Sequence, residues 1–129
     1  MAIELTPEFA AAHNNLGIVL VAEQKKEEAV SHYKTAIRLR PGYTEAHYHL
    51  GNALLKEGWI SEAISHYKMA IELKPGYAEA HNNLGNALVQ KGEMKEAIDH
   101  YRETVKLKPD LVAAQKNLEM ALLRSQGLE

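Results

Sequence analysis

The chain has 129 residues, 46% of them hydrophobic but only 6% aromatic, and its 15 basic and 17 acidic side chains leave a formal charge of −2. This balance supports neither nucleic-acid nor anionic-membrane binding, the absence of cysteine excludes disulfides and thiol catalysis, and the longest apolar run, Gly17–Ala22, is far short of a membrane span. A core so poor in aromatic side chains must be built from Ala, Leu, Ile and Val, a mixture that suits closely approaching helices.

Order along the chain comes from one repeated phrase. Pro41–Leu54 returns almost unchanged as Pro75–Leu88, 34 positions later, and fainter copies begin at Pro7 and Pro109. A fixed period of this length is the signature of stacked structural repeats. Residues 1–9 match the end of a repeat, since Ala2-Ile3-Glu4-Leu5-Thr6-Pro7 parallels Ala36–Pro41 and Ala70–Pro75, and they read as the remnant of a preceding unit.

Three full units follow, over 10–43, 44–77 and 78–111. In the second, an apolar stripe at Ala46, Leu50, Ala53 and Leu54 predicts a first helix. A second stripe at Ala63, Ile64, Tyr67, Ala70 and Ile71 predicts another, stopped by Pro75-Gly76. Gly58 and Gly92 are placed to close the first helices in a left-handed conformation, but the first unit has Gln24 there. Gly17, Gly51 and Gly85 sit in mid-helix, where glycine costs about 1 kcal/mol against alanine. Three matching glycines imply a close helix crossing, with Ala29, Ala63 and Ala97 as the expected facing residues. From 112 to 129 the first-helix pattern recurs with Glu119 in place of glycine, so Val112 to about Ser125 reads as one solvating helix. The expected fold is all-α, an α-solenoid of antiparallel helix pairs.

His47-x-x-Leu50-Gly51-x-x-Leu54, Ala63-x-x-x-Tyr67 and Pro75, with their counterparts in the other two units, resemble the tetratricopeptide repeat (TPR) pattern. The resemblance covers nearly the whole chain. It implies a right-handed superhelix whose first helices line a concave groove that commonly holds a peptide. The phrasing is most similar to the arrays of O-linked N-acetylglucosamine transferases and related bacterial proteins, whose asparagine ladder Asn15, Asn83 and Asn117 match. Chaperone-binding members grip a C-terminal carboxylate with cations; the matching positions hold Asn14, Ile18, Glu79 and Asn83, so that partner is disfavoured.

The seven histidines form no metal site by pattern. His13, His47 and His81, like His32, His66 and His100, recur once per repeat, about 10 Å apart, far too distant to share one ion. Packing or interfacial hydrogen bonding is the expected role. No nucleophile–base pair or phosphate loop stands outside the repeat, so neither catalysis nor a cofactor is expected. The groove-facing stripe is the candidate site: Asn15 in the first unit, Glu45, Tyr48, His49 and Asn52 in the second, Glu79, Asn82, Asn83 and Asn86 in the third, and Lys116 and Asn117 beyond. Asparagine carries both a donor and an acceptor and can pair with a peptide backbone. Trp59 is expected to shield its turn, packing on Ile60.

These readings point to a non-catalytic interaction scaffold for a protein or peptide partner, with no nucleic acid and no membrane, in a cytoplasmic setting. Two alternatives stand beside it: self-association through the truncated N-terminal end around Leu16 and Leu20, and a substrate-recognition array of a larger enzyme such as a glycosyltransferase.

Overall fold

The computed structural model describes residues 7–127; residues 1–6 of the proposed remnant over 1–9 lie outside them. Among the described residues seven helices follow one another: α1 (Pro7–Ala22), α2 (Lys26–Leu39), α3 (Thr44–Lys56), α4 (Ile60–Leu73), α5 (Ala78–Lys91), α6 (Met94–Leu107) and α7 (Val112–Ser125). They pack as three antiparallel pairs and a final single helix, each touching its neighbours in sequence. The first helices α1, α3, α5 and α7 also touch in succession, whereas the second helices make no comparable contact. The stack therefore curves with the first helices inside. This is an all-α repeat solenoid.

The turns follow from local chemistry. After α3, the Trp59 amide donates to the Leu54 carbonyl at 2.9 Å and the Gly58 amide to Leu55 at 3.1 Å, with Gly58 at φ +87°. That bonding closes the helix by satisfying its last carbonyls, and it requires a left-handed residue. The α1–α2 turn keeps the same bonds, Lys25 to Leu20 at 2.8 Å and Gln24 to Val21 at 3.0 Å. Gln24 is thereby held at φ +66°, as its position implied. It is the one non-glycine residue in that conformation among the described residues.

The core runs continuously through the pairs, with Leu50, Leu84 and Tyr67 fully buried. The mid-helix glycines do mark close crossings, and the atoms nearest to them belong to tyrosine rings. A Cβ built on Gly51 would lie 2.7 Å from the Tyr67 ring, and those on Gly17 and Gly85 would meet Tyr33 and Tyr101 at 2.4 and 2.5 Å. Ala29, Ala63 and Ala97, the residues expected there, are fully buried in the same core. The large tyrosine ring fills the space that glycine leaves. Such compensation of small by large conserves volume, which close-packed interiors demand.

At the N-terminal end, Leu16 is 42% exposed while Leu20 is buried, so only the first belongs to the open face. Phe9, Ile18 and Val19 are exposed on the same helix. At the other end Glu119 is solvated, but α7 also exposes Val112 and Met120.

Candidate functional site

The side chains on the inner face of α3, α5 and α7 form a polar network that crosses from one pair to the next. Asn83 donates through Nδ2 to Asn52 Oδ1 at 2.8 Å and to the Tyr48 hydroxyl at 3.2 Å. One repeat later, Asn117 Nδ2 donates to Asn82 Oδ1 at 3.1 Å. Two tyrosines of the second helices reach through to the same face. The Tyr67 hydroxyl donates to Asn52 Oδ1 at 2.5 Å, and that of Tyr101 to Asn86 Oδ1 at 2.6 Å. Burial pushes both hydroxyls up, Tyr101 to about 12, so both stay protonated donors at any ordinary pH. Tyr48 packs against Tyr77 with ring centres 4.9 Å apart.

Three cavities open along this face. One of about 150 Å³ lies between Ile18, Val21, Lys26, Tyr33, His49 and Lys56. A second, about 280 Å³, is lined by Asn52, Leu55, Lys56, Tyr67, Asn83 and Asn86. The third, about 420 Å³, is bounded by Asn86, Val89, Asn117, Met120 and Arg124 among others. Shared residues join them into one trough: Asn52 and Lys56 line the first two, Leu55 and Asn86 the last two.

The sequence-predicted residues divide accordingly. His49, Asn52, Asn83, Asn86 and Asn117 line the trough, and Tyr48 and Asn82 support it through hydrogen bonds. Glu45 and Glu79 stand in the first turns of α3 and α5, outside the three cavities, and Glu79 is paired with Lys108 at 2.6 Å. Asn15 and Lys116 are exposed and line none of them. Tyr67, Tyr101, Leu55 and Arg124 were not singled out for the site. The signal for the tyrosines was available: Asn52 and Asn86 each precede a tyrosine by 15 residues, whereas Tyr33 is preceded at that spacing by Ile18.

The two histidine ladders pair within each repeat. Nδ1 atoms of His13 and His32, His47 and His66, and His81 and His100 lie 3.0, 3.1 and 3.0 Å apart. Nε2 of His47 lies 3.0 Å from the Pro41 carbonyl, and that of His81 lies 2.9 Å from Pro75. A carbonyl can only accept, so each of these Nε2 atoms carries a proton, and where the ring holds no second proton its Nδ1 is the acceptor. His66 and His100 must then donate through Nδ1. Burial, followed by the neighbouring imidazole, holds both below the ordinary histidine value. This is interfacial hydrogen bonding, as the pattern suggested, but between the ladders. Among the described residues no three metal-ligating side chains converge.

Trp59 does not shield its turn: it is 59% exposed and borders a cavity of about 260 Å³ with Val30, Lys34, Leu54 and Glu62.

Comparison with known families matches the model described as "TPR repeat" over residues 19–58 and 51–92, and that described as "Tetratricopeptide repeat" over 78–111. No characterised protein sequence matches the chain. Among solved structures it is similar to MamA, with 28% identity and a TM-score of 0.87 over 92% of this chain and 69% of that one. It is also similar to YrrB, described as a TPR protein with an unusual peptide-binding site, at 28% identity and a TM-score of 0.78, covering 83% of this chain and 55% of that one. The first TPR of Spaghetti (RPAP3), solved with the HSP90 peptide SRMEEVD, shares the fold at 21% identity and a TM-score of 0.89, with 95% of each chain covered.

Proposed function

The chain belongs to the tetratricopeptide repeat family, and from that premise we propose that it is a non-catalytic scaffold that binds a polypeptide segment in its inner trough. The observation that carries this reading is the continuity of the trough. Three cavities joined by Asn52, Leu55, Lys56 and Asn86 run across the four first helices, over a core that is continuous beneath them. Such a surface offers apolar contact at Leu55, Val89 and Met120 beside amide and cationic groups, the mixture that extended peptides engage. The peptide-binding descriptions of YrrB and of the Spaghetti domain support the same class of activity.

The test is a selection of displayed peptides against the whole chain, followed by titration calorimetry of the strongest binder. Leu55→Arg puts a long charged side chain where two cavities meet, and should weaken that binder at least about tenfold. An equivalent change at Trp59, which lines none of the three cavities, should leave it unaffected. Affinity unchanged by Leu55→Arg would remove the trough from consideration.

A further inference from the structure

Trp59 has the highest fractional exposure of the large apolar side chains among the described residues, and it is the chain's sole tryptophan. Its backbone is pinned on both sides, the amide donating to the Leu54 carbonyl at 2.9 Å and the carbonyl accepting from the Ala63 amide at 3.0 Å. The indole therefore stands on a fixed base beside the cavity of about 260 Å³ between α2 and the α3–α4 turn. Val30 and the buried Leu54 supply its apolar lining, and Glu27, Lys34, Glu57 and Glu62, all exposed, surround it. Pockets for drug-sized ligands run to about 300–1,000 Å³, so this one suits a single long side chain.

Three carboxylates meet one ammonium there, and helix stability accounts for only two of them. Glu27 and Glu62 lie in the first turns of α2 and α4, where a carboxylate suits the positive end of the helix dipole. Glu57 caps the C-terminus of α3, where the same dipole disfavours it. The other turns offset or avoid this cost. Glu23 pairs with Lys25 at 3.8 Å, and Lys91 puts a cation at the end of α5. Trp59 stands where Lys25 would be, so Glu57 lacks that partner. Across the next junction Lys68 pairs with Glu96 at 3.2 Å, whereas the equivalent Lys34 and Glu62 form no ion pair among the described residues. Lys26 and Lys56, next in sequence to Glu27 and Glu57, line the trough instead. Lys34 can answer one carboxylate, and two remain beside the exposed indole.

We propose that this cavity is a second interaction site, separate from the trough, and that it takes an arginine side chain presented by a partner polypeptide. The guanidinium stacks on the Trp59 indole and donates to the Glu57 and Glu62 carboxylates, while its methylene stem covers Val30 and Leu54. Arginine suits the site better than lysine, because a planar fork can stack and bridge two carboxylates at once, whereas an ammonium is a strongly hydrated point charge. An acidic side chain would meet like charge, and an apolar one would cover the carboxylates without pairing them. The site does not depend on the trough being the peptide-binding face.

Because Trp59 is the sole tryptophan, its fluorescence in the whole chain reports on this site. The probes are N-acetylated, C-amidated peptides with one arginine flanked by glycine and serine, and counterparts carrying lysine or citrulline, the neutral isostere of arginine. The arginine peptide should change the indole emission saturably, with a dissociation constant of about 1–10 mM. The lysine peptide should bind about threefold or more weakly, and the citrulline peptide about tenfold. Glu57→Lys, an exposed change that gives this helix end the sign of Lys91, should weaken the arginine peptide about tenfold with the helical circular dichroism intact. Glu62→Gln should weaken it about threefold or more. Met120→Arg, in the last cavity of the trough, should leave it unchanged. The proposal is overturned by the absence of a saturable change up to about 50 mM arginine peptide, by lysine or citrulline peptides that bind as tightly, or by arginine binding that survives Glu57→Lys. Loss of the signal in Met120→Arg would also overturn it, since the site would then not be separate. None of these outcomes bears on whether displayed peptides require Leu55, so the trough reading stands or fails by its own test.

Discussion

The first and second helix pairs share their scaffold and differ on their inner face. Both turn through the same pair of backbone bonds, both set a glycine against a tyrosine ring, and both join two histidines through Nδ1. In the second pair the tyrosine hydroxyl ends on Asn52, which also receives Asn83 from the next repeat. In the first pair Ile18 stands where Asn52 would be, and His49 stands where Asn83 would be. His49 stacks on the Tyr33 ring at 5.8 Å, and the buried Asn14 Oδ1 has no hydrogen-bond partner among the described residues. The difference teaches that two layers of code are superposed. One sets how the helices stack and tolerates little change; the other ties repeat to repeat across the open face and can be left unfinished.

If the stacking layer is common to both pairs, breaking it should do equal harm in either. Gly51→Leu forces a side chain against the Tyr67 ring and should destabilise by about 1–3 kcal/mol or more, and Gly17→Leu against Tyr33 should match it. Urea denaturation followed by circular dichroism measures both. Were helix propensity alone at stake, the change would instead stabilise by a few tenths to about 1 kcal/mol. A large loss in one pair and none in the other would end the claim that the scaffold is shared.

A subtler change should separate the pairs. Tyr67→Phe removes the hydroxyl that donates to Asn52 and should cost about 0.5–1.5 kcal/mol, the usual net worth of such a bond. Tyr33→Phe should cost close to nothing, because Ile18 offers that hydroxyl no acceptor. Equal midpoints for the two variants would mean that the network carries no stability of its own.

The stacking layer was legible in the sequence because it recurs. The period, the proline stops, the left-handed strain at Gln24 and the span of α7 all follow from residues that return at fixed offsets. The glycine contact was legible only by half. Three mid-helix glycines declared a close approach, but periodicity along one helix does not say that a tyrosine ring of the next comes nearest to each. The histidine pairs were missed for a related reason. Each ladder runs along the stack, and the pairing runs across it between residues 19 apart, a register that only packing fixes. At the site, the asparagines were recognised as polar and inward, but not that tyrosines and neighbouring amides already hold several of their groups. A lone sequence shows what each amide could do, and only the assembled face shows which end remains.

The smallest effect tests whether the first junction is merely unfinished. Asn83 and Asn117 each donate to a group 35 residues earlier, and the residue in that relation to Asn14 is His49. His49→Asn would place a carboxamide opposite the unpartnered Oδ1, satisfying a buried acceptor while giving up the stacking on Tyr33. The gain in unfolding free energy should be about 0.5 kcal/mol, a small remainder between two opposed terms of about 1 kcal/mol each. The pH profile supplies a second signature. Burial holds His49 below the ordinary imidazole value of 6.5, against a smaller upward pull from Glu45. The unfolded chain therefore takes up its proton first, so the stability present above pH 6.5 is lost as pH falls from there through the depressed folded value. Removing this imidazole should make the acid-side decline shallower without abolishing it, since His13, His66 and His100 are depressed as well. A variant with a lower midpoint and an unchanged acid slope would show that the histidine, not an asparagine, is the better partner for this junction, and that the first repeat was finished by other means.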